Sequence, residues 1–395
     1  VRVSPDELSF IDAHAWRDIY GHGPKEGKGS APPKNWSRYG KSLNGSPSII
    51  IIQDPVEHAR ARKIFTPAFS DRALTQQAPL FIKYADQLVR SLKDGGKDNG
   101  KFDMVRMYNF ATFDVMGDLT FGEPLHMLDN AEYDPWVRAI FANIKRGVQL
   151  GLIYNYYPLV ASTFRALFHR TVAKTQYTHM NFSATRVTKR LEKGRESAGV
   201  DLWDLVLAQE DKGKAGLTRG EMDTNSGLFM VAGTETTATL LSGLTYLLLS
   251  TSNGEYMIKL VDEIRGAFTS SDDISMEATQ ALPYLNACIK EALRMYPPVP
   301  IGLPHLTPKE GSTICGVFVP SGVRPRRLFI ITPANVNRQV TVAAPHYAMY
   351  TSPTNFTTPR VFLPERWLGD ERFATDNRSA LQPFSVGSRD CLGKK

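Results

Sequence analysis

The stretch Phe384-Ser-Val-Gly-Ser-Arg-Asp-Cys391-Leu-Gly393 sets one cysteine between two glycines, with an arginine two residues before it. A cysteine that binds a metal does so as a thiolate. Gly387 and Gly393 let the backbone turn tightly and leave N–H groups to point at the sulfur. Such groups stabilise the negative charge and tune the donor strength of the thiolate. Arg389 can pair with a carboxylate of a bound cofactor, and Phe384 can wall water off from the sulfur. Together these residues read as a haem-binding loop with Cys391 as the one axial ligand, an arrangement that pushes electron density onto iron and favours O–O cleavage. The competing reading makes Cys391 a small core residue in a loop, as most lone cysteines are.

Three further groups of residues could do chemistry. Ala232-Gly-Thr-Glu-Thr-Thr237 places an acid and hydroxyls in the middle of the apolar run Leu228 to Leu249. A threonine there can bond back to the carbonyl four residues earlier and bend the helix. The run then reads either as a tolerated polar patch at a helix crossing or as a local opening for O₂ and water, with Thr236 as hydrogen-bond donor and Glu235 as proton relay. His58 and Arg62 lie four apart after Asp54-Pro55, which marks a helix start with Asp as N-cap and Pro at the first position. They form either a solvated basic face with Arg60 and Lys63 or a pair aimed at a cofactor carboxylate. Glu291 and Arg294 lie three apart on an amphipathic helix whose Leu282, Leu285, Ile289 and Leu293 share one face. An exposed pair of that kind is worth under about 1 kcal/mol.

The elements that must position these residues are mostly helical. Apolar spacing predicts helices over 72–92, 103–121 and much of 132–192, with a Gly/Lys/Asp-rich turn from Asp94 to Lys101. Residues 21–48 read as a loop, Ile49 to Ile52 as a short strand, and the run 313–345 as further strand and turn. Tyr154 to Tyr157 with Pro158 is an aromatic cluster without an assigned role. The chain has 395 residues, 42% hydrophobic and 22% charged, enough for a sizeable core. Its three cysteines argue against a disulfide framework, and none lies near enough to another for a zinc site. Net charge is +7, but no long Lys/Arg run supports nucleic-acid binding. Leu228 to Leu249 is long enough to test as a membrane helix. Glu235 and the threonines inside it argue for a buried helix instead.

Five motifs occur in one order: Arg62 on its helix, Gly233-Thr-Glu-Thr236, Glu291-x-x-Arg294, Pro364-Glu-Arg366-Trp, and the Cys391 loop. In type and order they resemble the cytochromes P450, from about residue 1 to 393. The wording of Asp54-Pro-Val-Glu-His-Ala-Arg and Pro364-Glu-Arg-Trp is similar to fungal secondary-metabolite hydroxylases of the isotrichodermin hydroxylase type. The resemblance implies a mainly α fold with a small split β region, over 1–395 as a single haem-thiolate domain. It implies haem b as cofactor, with NADPH-derived electrons from a separate NADPH-cytochrome P450 reductase. The activity implied is insertion of one oxygen atom of O₂ into a small lipophilic metabolite, terpenoid or polyketide in kind. It places the full-length protein at the cytosolic face of the endoplasmic reticulum membrane. Residue by residue, it makes Cys391 the iron ligand and gives Thr236 and Glu235 oxygen activation and protons. Arg62, Arg389, His58 and His305 would hold carboxylates of the haem, with Phe384 and Gly387 shaping the loop. Glu291, Arg294 and Arg366 would form a buried structural triad.

The chain departs from the family pattern in several places. His58 stands where the family has an aromatic residue, and His305 where it often has Arg. The membrane-anchor helix and the helix that follows the Cys loop are not in the chain, so haem retention is in question. The seventeen residues 323–339, from Val323-Arg-Pro-Arg-Arg to Asn337-Arg-Gln339, interrupt a run that reads Pro-Ser-Gly-Val-Thr-Val when Gly322 is joined to Val340. They hold four arginines and no acid. We read them as an in-frame intron translated into the chain, against a true loop insertion. Spliced transcripts that keep the segment would contradict the intron reading. Two other readings stand beside the monooxygenase: a truncated gene product that folds without haem, and a reductase-independent isomerase or dehydratase on the same scaffold.

Overall fold

The computed structural model describes residues 1–22, 32–39, 42, 44–96, 100–194, 201–210, 216–250, 254–321 and 339–394. They fall into two compact units, residues 38–238 and residues 1–37 with 239–394.

The 38–238 unit is helical: α1 Pro55–Phe65, α2 Asp71–Gly96, α3 Met104–Phe121, α4 Met127–Asn130, α5 Pro135–Tyr156, α6 Pro158–Glu192, α7 Leu202–Glu210 and the greater part of α8 Arg219–Ser250. Asp54 caps α1 by accepting from the Val56 and Glu57 amides, and Pro55 takes the first position, where its missing N–H costs nothing. Ile49 to Ile52 is not a strand but a turn. The amides of Ile51 and Ile52 both donate to Ser48 O, and that of Ile49 donates to Asn225 Oδ1. Tertiary hydrogen bonding here overrides the strand propensity of β-branched residues. Buried Arg190 ties α6 to α7 by pairing with Asp201 and, at 2.7 Å, with Asp204.

The second unit holds the last turns of α8, then α9 Glu255–Ala267, α10 Met276–Gln280, α11 Pro283–Met295 and α12 His346–Tyr350. Its strands are β1 Arg2–Ser4, β2 Glu7–Ser9, β3 His305–Leu306, β4 Ser312–Ile314, β5 Val317–Val319 and β6 Thr341–Ala343. Four of them form one sheet in the order β1-β2-β6-β3, with β2 parallel to β6 and the other pairs antiparallel. β4 and β5 form a separate hairpin, turned by Cys315 and Gly316 at φ 50° and 76°. The β region therefore includes 2–9, which the sequence did not suggest. The core of the strand-rich part gathers Trp16, Ile19, Val342, Met349, Tyr350 and Phe356.

The segment 323–339 lies outside the described residues except for Gln339, whose side-chain amide donates to Thr307 O at 3.0 Å. Among the described residues, no helix is long and apolar enough to cross a membrane.

Candidate functional site

The strand-rich unit carries the cysteine loop. It closes on itself: the Cys391 amide donates to Phe384 O at 2.9 Å, and the Asp390 amide donates to Gly387 O at 3.3 Å. Gly387 sits at φ +86°, and a Cβ there would lie 2.0 Å from Tyr20 O. Both backbone shape and the close pass of Tyr20 demand glycine at that position. Gly393 has ordinary φ and open space around it, so of the two glycines the turn requires only Gly387. Tyr20 is itself anchored: its hydroxyl donates to Leu303 O and accepts from the Ala344 amide.

Of the three cysteines, Cys391 is the exposed one. Burial pushes the thiols of Cys288 and Cys315 up to about 12, which keeps them protonated and unfit as ligands. Phe384 is 38% exposed and Cys391 is exposed, so in this structure the expected walling-off of the sulfur from water is not seen. The Arg389 guanidinium lies 5.1 Å from the centre of the Trp36 ring. His305 is buried, with Nδ1 2.6 Å from Pro32 O and its ring edge-on to Tyr20 at 4.8 Å. Burial holds its pKa down at about 4, so it is neutral at physiological pH. An exposed soft ligand, with a guanidinium two residues away, is a donor set that fits haem with its carboxylates.

The same unit holds the charged cluster, and it is fully buried. Arg294 grips Glu291 with two bonds, 2.9 Å and 2.7 Å long, and both side chains have no exposure. Arg366 approaches Glu291 at 3.5 Å and pairs closely with Asp376. The Trp367 indole and the Leu363 amide also donate to Glu291, at 2.9 Å and 3.1 Å. Arg294 further donates to the carbonyls of Tyr350, Pro359 and Val361. The pair is thus not the exposed salt bridge that its spacing alone allows. Two cations face two anions, so the cluster is neutral. Glu263 holds the helix that presents it, accepting from the Tyr284 and Leu285 amides at the start of α11.

The helical unit carries the other predicted residues. α8 runs unbroken through Gly233 to Thr237, so the polar residues do not open it. Instead the Thr236 hydroxyl donates back to Ala232 O at 2.6 Å, and Thr234 does the same to Met230 O at 2.5 Å. Gly233 lets α3 come close: a Cβ there would lie 2.6 Å from Met116 Sδ. Burial raises the pKa of Glu235, and its Oε2 is buried without a hydrogen-bond partner. On α1, His58 is buried and Arg60 pairs with Glu57 and Glu221, so that face is not a solvated basic stripe. Arg62 is half-buried beside them. Thr236, Glu235, His58 and Arg62 belong to one unit, and Cys391, Arg389, His305, Glu291, Arg294 and Arg366 to the other.

Sequence reasoning missed Asp376, Trp367, Trp36 and Lys34. Trp367 was legible as the neighbour of Arg366. Asp376 lies ten residues beyond Arg366, and Trp36 and Lys34 lie far in sequence from Arg389 and His305, so no local pattern marks them.

The sequence profile described as "Cytochrome P450" matches residues 25–325 and 330–395. The gap in the match falls inside the segment read as an insertion. The chain is 45% identical, over its whole length, to cytochrome P450 monooxygenase efuB of Hormonema carpetanum and covers 74% of that protein. It is 43% identical to cytochrome P450 monooxygenase FUM2 of Gibberella moniliformis, covering 78% of it. It is 40% identical to cytochrome P450 monooxygenase rdc4 of Metacordyceps chlamydosporia, covering 76% of it. All three span the whole of this chain.

Proposed function

Because this chain belongs to the cytochrome P450 family and is a monooxygenase, we propose that it hydroxylates a small lipophilic fungal metabolite, terpenoid or polyketide in kind. Its electrons come from NADPH through a separate reductase, and the full-length protein works at the cytosolic face of the endoplasmic reticulum membrane. The haem, when bound, supplies the iron at which O₂ is activated. Cys391 gives that iron its thiolate, and Arg389 with Arg62 holds the carboxylates, helped by His58. We hold residues 323–339 to be intron-derived and 1–395 to be one haem-thiolate domain.

The observation that carries the reading is the orphaned Oε2 of Glu235 beside Thr236. A buried carboxyl without a partner, its pKa raised by burial, takes up a proton more readily than an exposed one and can pass it on. The Thr236 hydroxyl is parked on Ala232 O. A threonine in a helix has two usable χ1 rotamers, so one rotation frees the hydroxyl to donate elsewhere. Isomerisation or dehydration consumes neither NADPH nor O₂, which separates it from this reading.

Incubation with labelled O₂, NADPH and a fungal reductase, against a panel of terpenoids and polyketides, is expected to yield product carrying one labelled oxygen. Glu235→Gln and Thr236→Ala should each lower product formation by about 100-fold or more, the scale of lost acid–base catalysis, while NADPH consumption continues. Product formed without NADPH, or without label, would overturn the proposal in favour of the isomerase.

A further inference from the structure

Trp136, in the first turn of α5, is tied to α6 through one ring. Its indole N–H donates to His179 Nδ1 at 3.0 Å. The two rings stack at 18° with centres 5.5 Å apart, and Phe182 stacks on Trp136 as well, at 4.2 Å and 16°. Trp136 is buried. An indole nitrogen can only donate. His179 Nδ1 must therefore offer a lone pair, and the neutral imidazole keeps its proton on Nε2. α8 closes the Nε2 side of the ring: a Cβ on Gly227 would lie 3.1 Å from that atom. The imidazole is thus wedged between α5 and α8, with all these residues in the 38–238 unit.

Protonation changes one atom of this arrangement. Nε2 carries a proton in both forms, so the added proton goes to Nδ1, where it meets the Trp136 N–H. The bond is lost and two donors face each other. Among the described residues, no carboxylate bonds to the ring to favour its charged form. Of the described side chains, the charged residues nearest along the three helices are Asp134 and Arg138 at the start of α5, Arg186 on α6 and Asp223 on α8. Asp134 accepts from the Trp136 amide, Arg186 pairs with Glu123, Asp223 pairs with Arg219, and Arg138 is exposed. None of these charges shifts His179; burial alone does, and it lowers the pKa.

We propose that Trp136 and His179 form an acid-released latch, in which a proton gained at His179 Nδ1 breaks the bond and lets the start of α5 part from α6. The latch needs no cofactor and stands apart from the haem-thiolate reading. The closed form favours the neutral ring, whereas in the open form the ring titrates as an ordinary histidine, at about pH 6.5. The latch is therefore at full strength above about pH 6.5 and weakens as pH falls below it.

Amide hydrogen exchange in the first two turns of α5, corrected for the pH dependence of the intrinsic rate, reads this opening. It is measured at about pH 7.5 and about pH 5.5 in the unsubstituted protein and in His179→Asn, whose amide oxygen can accept from Trp136 but does not titrate. Opening is expected to rise about 10-fold over that interval in the unsubstituted protein, the change one proton brings below a pKa of about 6.5. In His179→Asn it should stay level. An equal rise in both proteins would assign the titration to another group and overturn the proposal. No rise in the unsubstituted protein would overturn it as well, whether or not His179→Asn folds. So would a rise spread evenly over α2, α3 and α8, which would mean general loosening in acid.

Discussion

Arg366→Ala is expected to cost about 3–5 kcal/mol of folding stability, the scale for stranding a buried charge. Arg366 has no exposure and pairs with Asp376, which also has none. It donates to Thr357 O and approaches Glu291 as well. Removing it leaves Asp376 with the Thr357 amide as its remaining partner and unbalances a cluster of two cations and two anions. Domains are stable by only about 5–15 kcal/mol, so the variant should sit near its unfolding threshold. Charge balance also gives a second, sharper expectation. Arg366→Leu combined with Asp376→Leu removes one charge of each sign and should be less damaging than either single change. Urea unfolding of the singles and the double checks this. A loss below about 1 kcal/mol for the single change, as an exposed pair would give, would contradict the buried cluster.

The second large effect falls on Cys391. Cys391→Ser replaces a soft thiolate with a hydroxyl that is a poor ligand for iron and remains protonated. Disturbing a residue that only supports a metal ligand costs about 10–100-fold in affinity or activity. Loss of the ligand itself should exceed that, so product formation is expected to fall by more than about 100-fold. Folding should be spared, because Cys391 is exposed. Compared in their haem-free forms, the variant and the unsubstituted chain should match in circular dichroism and thermal melting. A variant that unfolds, or one that keeps its turnover, would argue for the small core residue instead.

Much of this machinery is local and so was readable from sequence. Asp54-Pro55 starts its helix as residue types dictate, since capping needs only neighbours. Gly387 is demanded by a left-handed backbone position. The spacing of Glu291 and Arg294 allowed a pair but not its burial. That depends on Leu363, Arg366, Trp367 and Asp376 folding over it from more than 70 residues away. Ile49 to Ile52 looked like a strand because β-branched residues favour one, yet Ser48 and Asn225 claim its amides. The reverse happened at 2–9, where three-residue strands carry too little alternation to see and β2 pairs with a segment more than 330 residues later. Lys34 was invisible for the same reason: it pairs with His305, distant in the chain.

The central claim is that Cys391 binds haem iron as a thiolate. It is tested most directly by reducing the purified protein, adding carbon monoxide and recording the Soret band, with Cys391→Ser beside it. The strongly red-shifted band of a thiolate-ligated haem in the unsubstituted protein, absent from Cys391→Ser, is the predicted result. A haem band without that shift, or one that survives unchanged in Cys391→Ser, would contradict it.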